Sequence, residues 1–165
     1  MKRALIVIDV QKGFINKLTN KIPSKIKNFI KKNKANYDLI IFTKFINHPK
    51  SNFVKSLNWK RFMAKKETDI AEQLKEFTSN KNVFIKSTYG SFVNNKLLNL
   101  LKKHKIKQVE LTGIDTENCV LTFAREAFDR GFSVVVFKSL TASYTSPKLR
   151  KAALEIIEKN IGKVK

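Results

Sequence analysis

Leu111-Thr112-Gly113-Ile114-Asp115-Thr116-Glu117-Asn118-Cys119-Val120-Leu121-Thr122-Phe123-Ala124-Arg125-Glu126 changes character at Gly113. The apolar residues before the glycine read as the end of a strand. Those after Cys119 read as a helix, with Val120, Phe123, Ala124, Ala127 and Phe128 on one face and Gly131 as its stop. Cys119 is the only cysteine of the chain. It falls near the helix N-terminus, where unpaired backbone N–H groups and the positive end of the dipole favour a thiolate. A thiolate so placed is a strong nucleophile at neutral pH.

The same strand-then-helix alternation extends in both directions. Short, β-rich, mostly non-alternating runs occur at residues 4–9, 38–43, 82–86, 108–113 and 133–137, as expected of buried parallel strands. Helical spacing lies between them. Residues 22–34 bring Ile22, Ile26, Phe29 and Ile30 together, and residues 69–78 do so with Ile70, Leu74 and Phe77. Residues 91–103 carry Phe92, Leu97, Leu98, Leu100 and Leu101. Residues 147–160 start at Pro147 and carry Leu149, Ala153, Leu154, Ile156 and Ile157. The tail at 161–164 adds a short edge strand. The pattern predicts one domain over 1–165. Its fold class is α/β, a three-layer α/β/α arrangement on a mostly parallel sheet of five or six strands. The longest irregular stretch, about 44–67, contains Asn47-His48-Pro49, Trp59 and Arg61; loops of that length are usually functional.

Composition narrows the function classes. The chain has 165 residues, 42% of them hydrophobic, enough for a real core. No apolar run reaches the ~20 residues of a membrane span. The basic start and short apolar run at Met1–Asp9 lack a cleavage site and read as a first strand, not a signal peptide. A single cysteine excludes an internal disulfide and agrees with a reducing cytoplasm. The formal net charge is +21. One explanation is a nucleic-acid or anionic-surface partner. The other is drift, since lysines outnumber arginines about six to one and are scattered over every segment. Neither an arginine-rich reader motif nor a basic block is present, so drift with solvated faces is favoured. Non-specific polyanion binding remains an expected consequence of the field.

In an open parallel sheet the crevice lies beyond the carboxyl ends of the strands. Asp9 ends the first strand, Lys86 ends the third, and Cys119 follows the fourth. A carboxylate in a crevice can take the thiol proton and return it to a leaving group. Lys86 would hold Asp9 and favour the thiolate by its charge. Backbone N–H groups of the turn before the helix would form an oxyanion hole.

With these residues in view, the chain resembles the isochorismatase-like cysteine hydrolases, which include nicotinamidases, N-carbamoylsarcosine amidases and ureidoacrylate hydrolases. The motifs that carry the resemblance are residues 5–14 (Leu5-Ile6-Val7-Ile8-Asp9-Val10-Gln11-Lys12-Gly13-Phe14), 86–92 (Lys86-Ser87-Thr88-Tyr89-Gly90-Ser91-Phe92) and 113–120. The resemblance implies a catalytic triad at Asp9, Lys86 and Cys119. It also implies a cis peptide between Ile114 and Asp115, and an oxyanion hole from the Asp115 and Cys119 amides. Further implications are thioester chemistry on a C–N bond of a small amide or carbamoyl compound, no cofactor, and a homo-oligomer, dimer or higher.

Nicotinamidases of this family carry an Asp-x-His-x-x-His metal site after the second strand. The matching segment here, Thr43 to Phe53, holds one histidine and no aspartate. His48 is read as a loop residue, no metal ligand is assigned, and His104 is read as exposed. Phe14, Phe45, Trp59 and Tyr89 are the candidates to line a substrate pocket, with core packing an even alternative for Phe14 and Phe45. Thr116 and Asn118 are read as helix caps, and Arg61 as a solvated loop residue. Two other functional readings stand beside the hydrolase: a basic polyanion-binding protein, and a catalytically inactive relative on the same fold. An intact triad argues against the last.

Overall fold

The computed structural model describes residues 1–93 and 95–165. Six strands form one parallel sheet: β1 (Arg3–Ile8), β2 (Leu39–Phe45), β3 (Val83–Lys86), β4 (Gln108–Ile114), β5 (Ser133–Ala142) and β6 (Lys163–Val164). Their order is β3-β2-β1-β4-β5-β6. The chain builds outward from β1 to β3, returns to the centre, and builds outward again from β4 to β6. The strand order therefore reverses between β1 and β4, the place where such sheets open a ligand crevice.

Alternate residues of β1 supply two cores, as period-two side-chain geometry requires. Ala4, Ile6 and Ile8 face a cluster built with Leu97 and Leu101 of α4 (Asn95–Lys103), Phe123, Ala124 and Ala127 of α5 (Leu121–Asp129), and Leu154 and Ile157 of α6 (Pro147–Asn160). Leu5 and Val7 face the other side. There they meet Ile22, Ile26 and Ile30 of α1 (Ile22–Asn33), together with Phe42, Phe62 and Leu74. Helices thus cover both faces of the sheet. No helix of the described residues is long and apolar enough to cross a membrane.

Gly113 is required where β1 and β4 meet. Its φ is +118°, and a Cβ there would lie 2.0 Å from the Ile8 carbonyl oxygen, a space only glycine can occupy. Gly131, with φ +81°, stops α5 as expected.

Tertiary contacts redraw several sequence boundaries. Residues 69–78 do not form an α-helix. Ile70 bridges to Gln11 and the Ala71 amide bonds the Val10 carbonyl, so a 3₁₀ helix of six residues, Glu72–Phe77, is what remains. At 91–103 the helix spans Asn95–Lys103. The Ser91 and Phe92 amides instead donate to the Glu126 carboxylate at 2.9 and 3.4 Å; Asn94, inside the expected range, lies outside the described residues. Strand β5 continues five residues past the expected end at 137, which carries the chain up to the crevice. The stretch 44–67 is not irregular throughout: β2 continues to Phe45, and two short helices follow, α2 (Asn52–Leu57) and α3 (Lys65–Thr68). Phe128 is half exposed at the end of α5 rather than packed.

Candidate active site

Asp9 leaves β1 with a positive φ of 49°, a conformation that aspartate tolerates better than most residues. The turn is held from β2: the Asp9 amide donates to Thr43 Oγ1 at 3.2 Å, and the same hydroxyl donates to Asp9 Oδ1 at 2.6 Å. Nearby Gln11 is fully buried and fastens the 45–68 segment. Its Nε2 donates to the carbonyls of Phe45 and Thr68 at 2.8 and 2.7 Å, and its Oε1 accepts from the Phe45 amide. Neither Thr43 nor Gln11 stands out in the sequence as a site residue. Their only signal is proximity to Asp9 and to the end of β2.

Lys86 closes β3 in register with Phe45 of β2. Its ammonium donates to the carbonyls of Thr88 at 2.9 Å and Tyr89 at 3.1 Å. It sits 2.7 Å from Asp9 Oδ2 and 3.4 Å from Cys119 Sγ. Asp9 is fully buried and the Lys86 side chain is 4% exposed. Burial works against the lysine's charge. The Asp9 carboxylate and Cys119 outweigh it and hold the ammonium well above the usual lysine range.

Cys119 rides on a π turn, Thr116–Val120, that leads into α5. The Asp115 carbonyl accepts from the Asn118 amide at 3.2 Å and from the Val120 amide at 3.0 Å. The second of these is the wide i+5 bond of a π turn, a device frequent at functional sites. The Ile114–Asp115 peptide is cis. The thiol's surroundings pull in both directions. Burial pushes the Cys119 thiol up from its ordinary value, Lys86 pulls it down, and the neighbouring Asp9 carboxylate raises it again. Burial thus opposes the thiolate that a helix N-terminus favours, while the Lys86 charge supports it.

Above the thiol is a cavity of about 260 Å³. Phe14, Phe45, Trp59 and Tyr89 all line it, with Cys119 among the residues at its wall. The core and pocket alternatives for Phe14 and Phe45 are not exclusive, since both rings are more than nine-tenths buried and still face the cavity. Phe62 backs this wall, its ring 4.0 Å from Phe14 and 5.4 Å from Trp59 between centroids. The wall also includes Phe53, Leu57, Asn118, Tyr144 and Thr145, none of which was read from the sequence as lining it. Tyr144 and Thr145 arrive through the extension of β5, and Phe53 and Leu57 through α2.

Four residues are placed differently from expectation. Asn118 faces the cavity and Thr116 is buried; the turn they begin has no side-chain cap bond. Arg61 is partly exposed but not free. It donates to Glu67 Oε1 at 2.8 Å, to the Tyr144 hydroxyl and to the Gly13 carbonyl, tying the loop to both sides of the pocket. His104 is half-buried rather than exposed.

The segment after β2 does not suit a metal ion. Asn47 spends its amide hydrogens on the Trp59 and Arg61 carbonyls at 3.0 Å each, and its oxygen accepts from Ser51 Oγ and the His48 amide. His48 is exposed, and the described residues contain no group of three or more His, Cys, Asp or Glu that could hold a metal. The donor set a zinc site needs is not assembled there.

Comparison with known proteins places this arrangement in a family context. A model of the isochorismatase domain matches residues 3–165. An uncharacterized isochorismatase family protein, PncA of Bacillus subtilis (strain 168), is 29% identical over 164 residues, covering 87% of this chain and 88% of that protein. The fold is similar to that of nicotinamidase PncA from Bacillus subtilis, with a TM-score of 0.85, 23% identity and 99% of each chain covered. It is also similar to N-carbamoylsarcosine amidase from Thermoplasma acidophilum, with a TM-score of 0.84, 20% identity, and 100% and 96% of the two chains covered.

Proposed function

Because this chain belongs to the isochorismatase family of hydrolases, we propose that it is a cysteine hydrolase cleaving a C–N bond of a small amide or carbamoyl compound through a thioester on Cys119. The observation that carries the reading is the Lys86 ammonium set between Asp9 Oδ2 and Cys119 Sγ beneath an aromatic cavity. A buried acid, a buried cation and a buried thiol in contact are costly to keep unless they act together.

The chemistry follows from the placement of the three groups. Asp9 lies beside the thiol and takes its proton as Sγ attacks the carbonyl carbon. The carbonyl π pair moves to oxygen, and the oxyanion is received by the backbone N–H groups of Asp115 and Cys119. Collapse expels the amine or ammonia, which leaves with the proton carried by Asp9. Water then gives a proton to Asp9 and attacks the thioester, and the thiol departs with that proton to restore the site. Lys86 is the positioning cation. Its three anchors, at Thr88, Tyr89 and Asp9, hold the carboxylate in place, and its charge steadies the sulfur as it ionises.

The test is ammonia release from a panel of small primary amides and carbamoyl compounds by the native chain and by Cys119→Ala, Asp9→Asn and Lys86→Ala. Release that vanishes in the Cys119 variant while its circular dichroism is unchanged is the expected result. Release undiminished in that variant would sink the proposal.

A further inference from the structure

The chain carries 34 lysines and arginines, yet among the described residues none lines the cavity. The two cations nearby are already matched, Lys86 by Asp9 and Arg61 by Glu67. Among the described residues the one carboxyl group that lines the cavity is Asp115, 7% exposed, beside the nucleophile. The Tyr144 amide donates to its Oδ1 and holds the group at the cavity wall. Around it stand six aromatic rings: Phe14, Phe45, Phe53, Trp59, Tyr89 and Tyr144.

Building on the hydrolase reading above, we propose that Asp115 sets the substrate class: the pocket selects small amides whose acyl part carries a protonated or quaternary nitrogen, and rejects those bearing a carboxylate. A cation meets two complementary surfaces there, the carboxyl of Asp115 and the electron-rich faces of the rings. A carboxylate-bearing amide would meet Asp115 and no free cation, an unpaired arrangement that costs several-fold in affinity at the least. The net positive surface does not contradict this, because its field is screened over about 8 Å at physiological salt whereas the pocket contact is direct.

Asp115 is itself held in a state that a cation would change. Its carboxyl is pushed up to about 7: burial raises it most, the charges of Glu117 and Asp9 add to that, and the Tyr144 amide and the Asn118 side chain work against them. The other titratable groups facing it are Tyr89, from the loop after β3, and Cys119. A positively charged ligand favours the ionised carboxylate, so its binding tightens as pH rises through 7.

The experiment uses three probes of fixed charge: trimethylammonioacetamide, its neutral isostere 3,3-dimethylbutanamide, and malonamate. Dissociation constants are measured by calorimetry on the Cys119→Ala chain, where turnover cannot interfere, between pH 5.5 and 8. The cation is expected to bind at least tenfold tighter than the isostere at pH 8, with the ratio shrinking at pH 5.5 and malonamate weakest. Adding Asp115→Asn is expected to bring the ratio near one. Equal affinity of cation and isostere at pH 8, or preference for malonamate, overturns the proposal without recourse to any Asp115 variant, as does a ratio that Asp115→Asn leaves unchanged. Ammonia release by the native chain is scored separately. Cys119-dependent release with the charge order reversed defeats this inference and leaves the hydrolase reading standing.

Discussion

Replacing Lys86 with methionine keeps most of the side-chain volume and removes the charge. Asp9 is fully buried and Lys86 nearly so, with 2.7 Å between the charged atoms. At an effective dielectric of about 20 that separation corresponds to a gross attraction of about 6 kcal/mol, much of it offset by the cost of taking both ions out of water. Removing one partner strands the other. Asp9 then keeps only the Thr43 hydroxyl on Oδ1, and the carbonyls of Thr88 and Tyr89 lose their donor. A destabilisation of about 3–5 kcal/mol is expected. The double variant Asp9→Asn with Lys86→Met removes both charges and is expected to recover at least half of that loss. Urea unfolding of the four proteins of this cycle, with slopes compared to confirm a common unfolding transition, supplies the numbers. A loss below about 1 kcal/mol for Lys86→Met, or strictly additive single effects, would show that the two groups are not an ion pair in a dry site, and the account of the triad would fail with it.

Other perturbations probe the surroundings. Asp115→Asn mimics the neutral carboxyl. In the folded chain Asp115 holds its proton up to about pH 7 against an ordinary 3.8, so its contribution is full below about pH 4 and is lost as pH rises to 7. The variant is expected to be the more stable form at pH 8 by up to about 4 kcal/mol, read from denaturation at pH 4, 6 and 8; a gap that does not widen with pH contradicts the assignment. Phe62→Ala removes a fully buried ring that backs the pocket wall. A loss of about 3–5 kcal/mol with a higher KM is expected from thermal melts and kinetics, and an unchanged KM would show that the wall stands without it. Gly113→Ala places a methyl group against the Ile8 carbonyl at a φ of +118°. The β1–β4 junction is expected to give way, seen as insolubility or a loss of more than about 4 kcal/mol, whereas a soluble native-like protein refutes the close-approach argument.

The strands and the three central residues were readable because both rest on local signals. Buried parallel strands are apolar runs, and a residue that ends such a run lies at the rim of the crevice whatever the rest of the chain does. What escaped was set by distant contacts. Ile70 belongs to a helical pattern, but it is drawn into a bridge with Gln11. Tyr144 reaches the cavity only because β5 continues to Ala142. Arg61 stays partly exposed, but its bonds to Glu67, Tyr144 and Gly13 come from contacts that no local pattern shows. The surroundings of the thiol were legible only in part: proximity to a helix N-terminus is visible in sequence, whereas burial and the sharing of Lys86 with Asp9 are not. Asp115 is the sharpest case. Its backbone role was suggested by family resemblance, but nothing local marks its carboxyl as the acid facing an aromatic cavity.

The claim on which the rest depends is that Cys119 itself becomes acylated. Acid-quenched enzyme, taken during turnover of whichever amide releases ammonia and mapped by peptide mass spectrometry, tests it directly. The account requires an acyl group on Cys119 that hydroxylamine removes and that is absent in the Cys119→Ala chain. Turnover that persists in Cys119→Ala, with Cys119 unmodified throughout in the native enzyme, would contradict it.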